Sequence, residues 1–183
     1  MEIFLGFVSY FYDYLIKGIF ISVLILIIAQ QLLNDKKGTL YAAKIIKWIL
    51  IIYAIAYLIT IPLDLIVATD SYTTYAILNR AFGPYWFPYW FSLIVTCVFP
   101  LSLFWRKLGA NLYVLLVVAI LMNKSLMYQL FVTDMKSSVS SWQMNFPSDF
   151  EILSVFSGFF VGIIVLILGE MLQYWKGGCQ KNK

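Results

Sequence analysis

Histidine is absent from this 183-residue chain, and cysteine occurs only twice. Without an imidazole the chain offers no bis-histidine haem ligation, no histidine zinc site and no histidine proton relay. Two thiols fall short of the about four thiolates that an iron–sulfur cluster takes. Cys97 lies in an apolar run and Cys179 in a basic tail, so redox compartment and geometry both argue against a disulfide between them. Nothing resembles a Ser–His–Asp arrangement, a phosphate-binding glycine loop or carboxylates at metal-ligand spacing, and no catalytic residue or metal ligand is assigned. Charge is scarce as well. Charged residues make up 12% of the chain, against about a quarter in a soluble domain.

What is present in quantity is apolar: 62% hydrophobic residues, 19% aromatic, and a mean hydropathy of +0.87. The expected fold class is an all-α integral membrane bundle of five transmembrane helices forming a single domain over 1–183. The apolar runs cover about 4–33, 42–68, 86–104, 111–132 and 150–175, each long enough for the ~20 residues that span a bilayer. Lys36, Lys37, Lys44, Lys47, Arg106, Lys107, Lys176, Lys181 and Lys183 fall on one side of this pattern, nine of the thirteen basic residues. Short basic loops stay in the cytoplasm. The N-terminus is therefore expected outside and the C-terminus inside, with the first span serving as its own insertion signal. This bias also accounts for the net charge of +4 without a nucleic-acid partner.

Local signals refine the pattern. The polar run Asn34-Asp35-Lys36-Lys37-Gly38 is expected to end the first span. Asp13 and Lys17 are placed near its outer end, where a lysine can snorkel to the interface. Pro62 is expected to kink or loosen the outer end of the second span, and Pro88 to sit in the first turn of the third. The aromatic run Tyr85-Trp86-Phe87-Tyr89-Trp90-Phe91 suits either an interfacial belt or a surface for a partner or ring-shaped ligand. Ser157, Gly158 and Gly162 recur at helical spacing in the fifth span, as a face for close helix packing would. Glu170, near the cytoplasmic end, is expected to reach headgroups or the Lys176 region. No pair of interrupted helices is evident.

Two charges fall within apolar runs, Asp64 in the second and Lys124 in the fourth. A charge near the bilayer centre costs a few kcal/mol on insertion scales, so a direct Lys124–Asp64 pair is the economical expectation. Such a pair reads as a structural contact or one that registers a partner, or as part of a proton path or quinone contact. Tyr53, Tyr57 and Gln129 are the other polar groups at useful depth. A tyrosine hydroxyl in a bundle ordinarily finds a backbone acceptor.

The run Asn79-Arg80-Ala81-Phe82-Gly83-Pro84-Tyr85, followed by Tyr89-Trp90, resembles the NrfD/polysulfide-reductase-type membrane subunits. It is most similar to the quinol-interacting subunits of alternative complex III. Phe99-Pro100-Leu101 with Phe104-Trp105-Arg106-Lys107 resembles the end of the family's corresponding helix and its basic turn. Asn123, Phe131-Val132, Ser140-Ser141-Trp142, Pro147 and Gly158-Phe159-Phe160 match further family positions, and Asp64 falls near a family glutamate. The resemblance covers the C-terminal half of a family member. Gln129 and Leu130 stand where the family has an acidic–basic pair, Met135-Lys136 where it often has a histidine-containing turn, and Lys124 at a usually apolar position.

The resemblance implies an accessory or structural multi-pass subunit of a bacterial respiratory complex in the cytoplasmic (inner) membrane. Such a subunit scaffolds other membrane subunits alongside iron–sulfur and haem-bearing partners, with quinone as the ligand to test. Tyr53, Tyr57, Asp64, Lys124 and Gln129 are the candidate residues for a quinone contact or proton path. The first alternative is one half of a split quinone-reactive subunit completed by another chain. The second is a small oligomeric transporter.

Overall fold

The computed structural model describes residues 2–32, 36–67, 82–83, 86–105, 108–109, 111–123 and 148–180, with backbone alone at 2, 36, 64–67, 88–89, 148–152 and 176–180. Every regular element among them is helical. In chain order they are α1 (Glu2–Phe11), a π-helical turn (Tyr12–Ile16), α2 (Ile19–Leu32), α3 (Lys36–Val67), α4 (Trp86–Leu93), a second π-helical turn (Ile94–Val98), α5 (Phe99–Ser102), α6 (Leu112–Met122) and α7 (Ser148–Gln180).

Three stretches are long and apolar enough to cross a membrane: Ile3–Leu32, Lys37–Leu63 and Leu153–Trp175, of 30, 27 and 23 residues. They carry the membrane-protein character that the composition implies. Two shorter apolar helical stretches, Trp90–Ser102 and Leu112–Met122, lie within the third and fourth predicted spans.

The core is built from one stripe of each helix. Ile16, Ile19, Val23 and Leu26 are buried at the three- and four-residue spacing of one helical face. They share a core with Ile46, Leu50 and Ile51 of α3, Leu115, Val118, Ala119 and Met122 of α6, and Val165 of α7. Opposite faces stay open, with Leu24 and Ile28 on α2, Ile52, Ile55 and Ile59 on α3, and Phe156, Phe159, Ile163 and Ile167 on α7 all exposed. A helix apolar on both faces suits lipid on the outside and protein on the inside.

Contacts among the described residues give the relative directions of three spans. Gly18 and Ser22 lie against Gly158, and Ser22 and Ile25 against Gly162, so the first and last spans are parallel. The opposite run of α3 brings Tyr53 beside Tyr12 and Gly38 beside Gly169. Asn123, at the end of α6, reaches Lys17. The turn after α5 returns to the start of α3, where Phe104 packs edge-on to Trp48 at 5.8 Å.

Several boundaries differ from the sequence reading. Lys36, Lys37 and Gly38, expected as part of a polar cap, form the first turn of α3. At its other end that helix runs through Pro62 to Val67, as far as the predicted second span. The missing amide only releases the Leu58 carbonyl, whose residue is on the exposed side. The third span is two α-helices joined by a π turn. Pro100 cannot donate to the ladder, and the wider turn just before it moves the Phe99 amide back to the Ile94 carbonyl. The Thr96 hydroxyl then takes the Ser92 carbonyl at 2.7 Å. In the fourth span, helix ends at Met122, and Asn123 is extended with ψ 90°. The remainder of that predicted span, 124–132, lies outside the described residues, as does most of each outer loop.

Candidate functional site

The interior feature most unlike a plain apolar bundle is a junction where two interrupted helices meet. In the first span the Lys17 amide bonds to the Tyr12 carbonyl at 3.1 Å, and Ile21 bonds to Gly18 at 3.0 Å. The regular four-residue ladder is therefore broken across residues 12–18. A carbonyl released inside an apolar bundle must find another donor. Here neighbouring helices supply it. The Ser157 hydroxyl on α7 donates to the Tyr14 carbonyl, and the Asn123 amide nitrogen donates to the Lys17 carbonyl at 3.0 Å.

The C-terminal end of α6 lies in the same place. Its last carbonyls have no partner within the helix, and the Tyr12 hydroxyl makes a long 3.4 Å bond to the Met122 carbonyl. Met122 is fully buried and Asn123 is 6% exposed. Around the junction, Lys17 pairs with Asp13 at 2.8 Å and lies 5.6 Å from the Tyr12 ring centre. Ser22 ties the seam from below by donating to the Gly158 carbonyl at 2.6 Å. The first span thus supplies Tyr12, Asp13, Lys17 and Ser22 to this junction, α6 adjoins it through Asn123, and α7 supplies Ser157.

Beside this junction runs a ladder of aromatic rings. Tyr53 stacks with Phe11 at 6.3 Å and with Tyr12 at 5.9 Å, and Tyr57 follows at 6.1 Å. Tyr53 is 2% exposed, and Tyr57 is half-buried. Two of the sequence-predicted residues, Tyr53 and Tyr57, therefore belong to one cluster. The structure adds Tyr12, which the sequence reading passed over. Its signal was its place beside Asp13, a carboxylate four residues from Lys17 and inside an apolar run.

The other three candidates are not brought into view. The Asp64 side chain, Lys124 and Gln129 lie outside the described residues, so the expected Lys124–Asp64 pair lies there too. Lys124 follows Asn123 directly in sequence. Glu170 departs from its expected position. It is half-buried, with its carboxylate pressed against Gly38 where any side chain at 38 would overlap it. Its Oε1 has no hydrogen-bond partner among the described residues. The first turn of a helix carries free amides and a partial positive charge, which accounts for a carboxylate turning inward there.

Chemically, the junction provides hydroxyls, an amide, an ion pair and flat aromatic faces at one level of the bundle. That set can hold or pass a proton and can stack a planar ring. Among the described residues no three His, Cys, Asp or Glu side chains are grouped to hold a metal ion. No family model, curated protein or solved structure matches this chain.

Proposed function

We propose that this chain is an accessory, structural membrane subunit of a bacterial respiratory complex that oxidises quinol or reduces quinone. In this reading it sits in the cytoplasmic membrane with five spans, N-terminus outside, and scaffolds the subunits that carry haem and iron–sulfur centres. The resemblance over 79–160 suggests the setting. The observation in the bundle that supports it is the Tyr12–Tyr53–Tyr57 ladder beside the polar junction, in a chain that has no histidine. Tyrosine faces and hydroxyls suit contact with a partner's quinone, while electron transfer itself falls to other chains.

Purification in a mild detergent, with co-purifying subunits identified and haem and iron–sulfur spectra recorded, tests this directly. The expected result is a coloured complex with quinol-dependent electron transfer that persists, at reduced yield of assembled complex, when this chain is deleted. Abolished turnover in an otherwise complete complex would favour the split quinone-reactive subunit instead. A colourless, partner-free oligomer would overturn the respiratory reading.

A small transporter is the other reading that an observation favours. Interrupted helices that meet inside a bundle mark substrate sites in many transporters, and here the π turn of the first span meets the buried end of α6. Topology can be tested separately. In a cysteine-free background, Ser71→Cys should label only from outside and Asn182→Cys only from inside. Labelling of both from one side would sink the five-span arrangement.

A further inference from the structure

The end of the bundle opposite the tyrosine ladder carries a second, unrelated cluster. Tyr41, Lys44, Lys47 and Trp48 recur every few residues along α3, so they share one flank. Lys44 is exposed and sits 4.9 Å from the Tyr41 ring centre. Lys47 is half-buried, its ammonium directed into the turn that follows α5. Gly109 makes the room. A Cβ there would stand 2.6 Å from Lys47 Nζ and collide with the Leu103 carbonyl. Phe104 packs edge-on to Trp48 on this flank, and Trp105, next in sequence, is 74% exposed. Arg106 and Lys107 follow in sequence.

Among the described residues no carboxylate lies within ion-pair distance of Lys44 or Lys47, since the one ion pair there joins Lys17 and Asp13. Like charges close together on one helix repel, so Lys47 set against the turn and the exposed Lys44 three residues before it are together suited to an anion. The exposed Trp48 and Trp105 are of the amphipathic type that settles at headgroup level. Basic recesses between membrane helices, at that level, suit phosphate-bearing headgroups.

We propose that the recess where Lys47 meets residues 103–105 and 108–109 binds the phosphate of an anionic phospholipid, with Lys47 and its helix neighbour Lys44 as the cationic contacts. The acyl chains then run along the exposed apolar flank of α3 formed by Ile52, Ile55 and Ile59. This site does not depend on the respiratory reading; it needs only that the chain lies in a bilayer.

The test is native mass spectrometry of the full chain released from nanodiscs of phosphatidylglycerol and phosphatidylcholine in equal parts. Wild type is expected to retain phosphatidylglycerol selectively, and Lys44→Gln with Lys47→Gln to weaken retention by about thirtyfold, about fivefold per lysine. The double arginine variant should restore it, and both variants should keep the wild-type unfolding temperature in pure phosphatidylcholine. Equal retention of both lipids by wild type overturns the proposal without recourse to any variant. Displacement of the lipid by millimolar inorganic phosphate, with phosphate itself bound in its place, would assign the recess to a free anion and overturn the lipid source.

Discussion

Gly158→Leu should be the most destabilising single change among the described residues of the last helix. A Cβ at 158 would collide with the Gly18 carbonyl oxygen, and would stand 2.6 Å from Gly18 C and 2.9 Å from its Cα. These are backbone atoms, so no rotamer change relieves the contact. The first and last spans must move apart. Overpacking of this kind costs about 1–3 kcal/mol and occasionally more. Separation also removes the bond from Ser22 to the Gly158 carbonyl, and interhelical hydrogen bonds in membranes contribute about 0.6 kcal/mol on average. A total of roughly 3 kcal/mol is expected, read as a lowered midpoint of reversible unfolding in mixed micelles. Phe160→Leu is the control, because Phe160 is 61% exposed on the same helix and should cost little. Equal midpoints for the two variants would show that the close glycine contact does not exist.

Asn123→Leu ranks second, with an expected loss of about 1–2 kcal/mol. The change keeps the side chain's approximate volume but removes the donor to the Lys17 carbonyl. That carbonyl lies where the ladder of the first span is already broken, so no backbone amide can take over. The damage should be local. Hydrogen–deuterium exchange is expected to quicken over residues 12–22 and to stay near wild type in α3 below Leu50. Exchange that quickens throughout the bundle, or nowhere, would show that Asn123 does not hold the π turn.

Much of this architecture could be read in the sequence because membrane burial makes simple demands. A run of apolar residues long enough to cross a bilayer is almost forced to be helical, since no other structure satisfies its backbone in lipid. The glycine face of the last span was also legible, because Gly158 and Gly162 repeat at the spacing of one helical face. The breaks were not. Hydropathy treats Asn123 as one polar residue in an apolar run and cannot report that the helix stops beneath it. The π turn at 12–16 depends on donors from Ser157 and Asn123, more than 100 residues away, so no local window contains its cause. Pro100 cannot donate to the helix ladder, but nothing in its neighbours specifies that a π turn would absorb the gap. Tyr53 and Tyr57 stood out as polar groups at depth, whereas Tyr12 joins them only through the antiparallel register of α3. Glu170 was expected at headgroups or near Lys176 from its place at the end of the last span, and it is the missing side chain on another helix, at Gly38, that makes room for it.

The parallel contact between the first and last spans has a consequence for how the protein is made. Ser22 and the Gly158 carbonyl that it holds are separated by 136 residues. When the first span leaves the ribosome, the groove around Gly18 has no helix to fill it, and synthesis at about 5–20 residues per second delays its partner for many seconds. The bundle is therefore assembled with its tightest seam closed last. Until then the broken ladder at Tyr14 also awaits its serine. A chain stalled before Ser148–Gln180 would carry an open small-residue groove inside the membrane, a defect that a quality-control protease or a waiting partner helix could read.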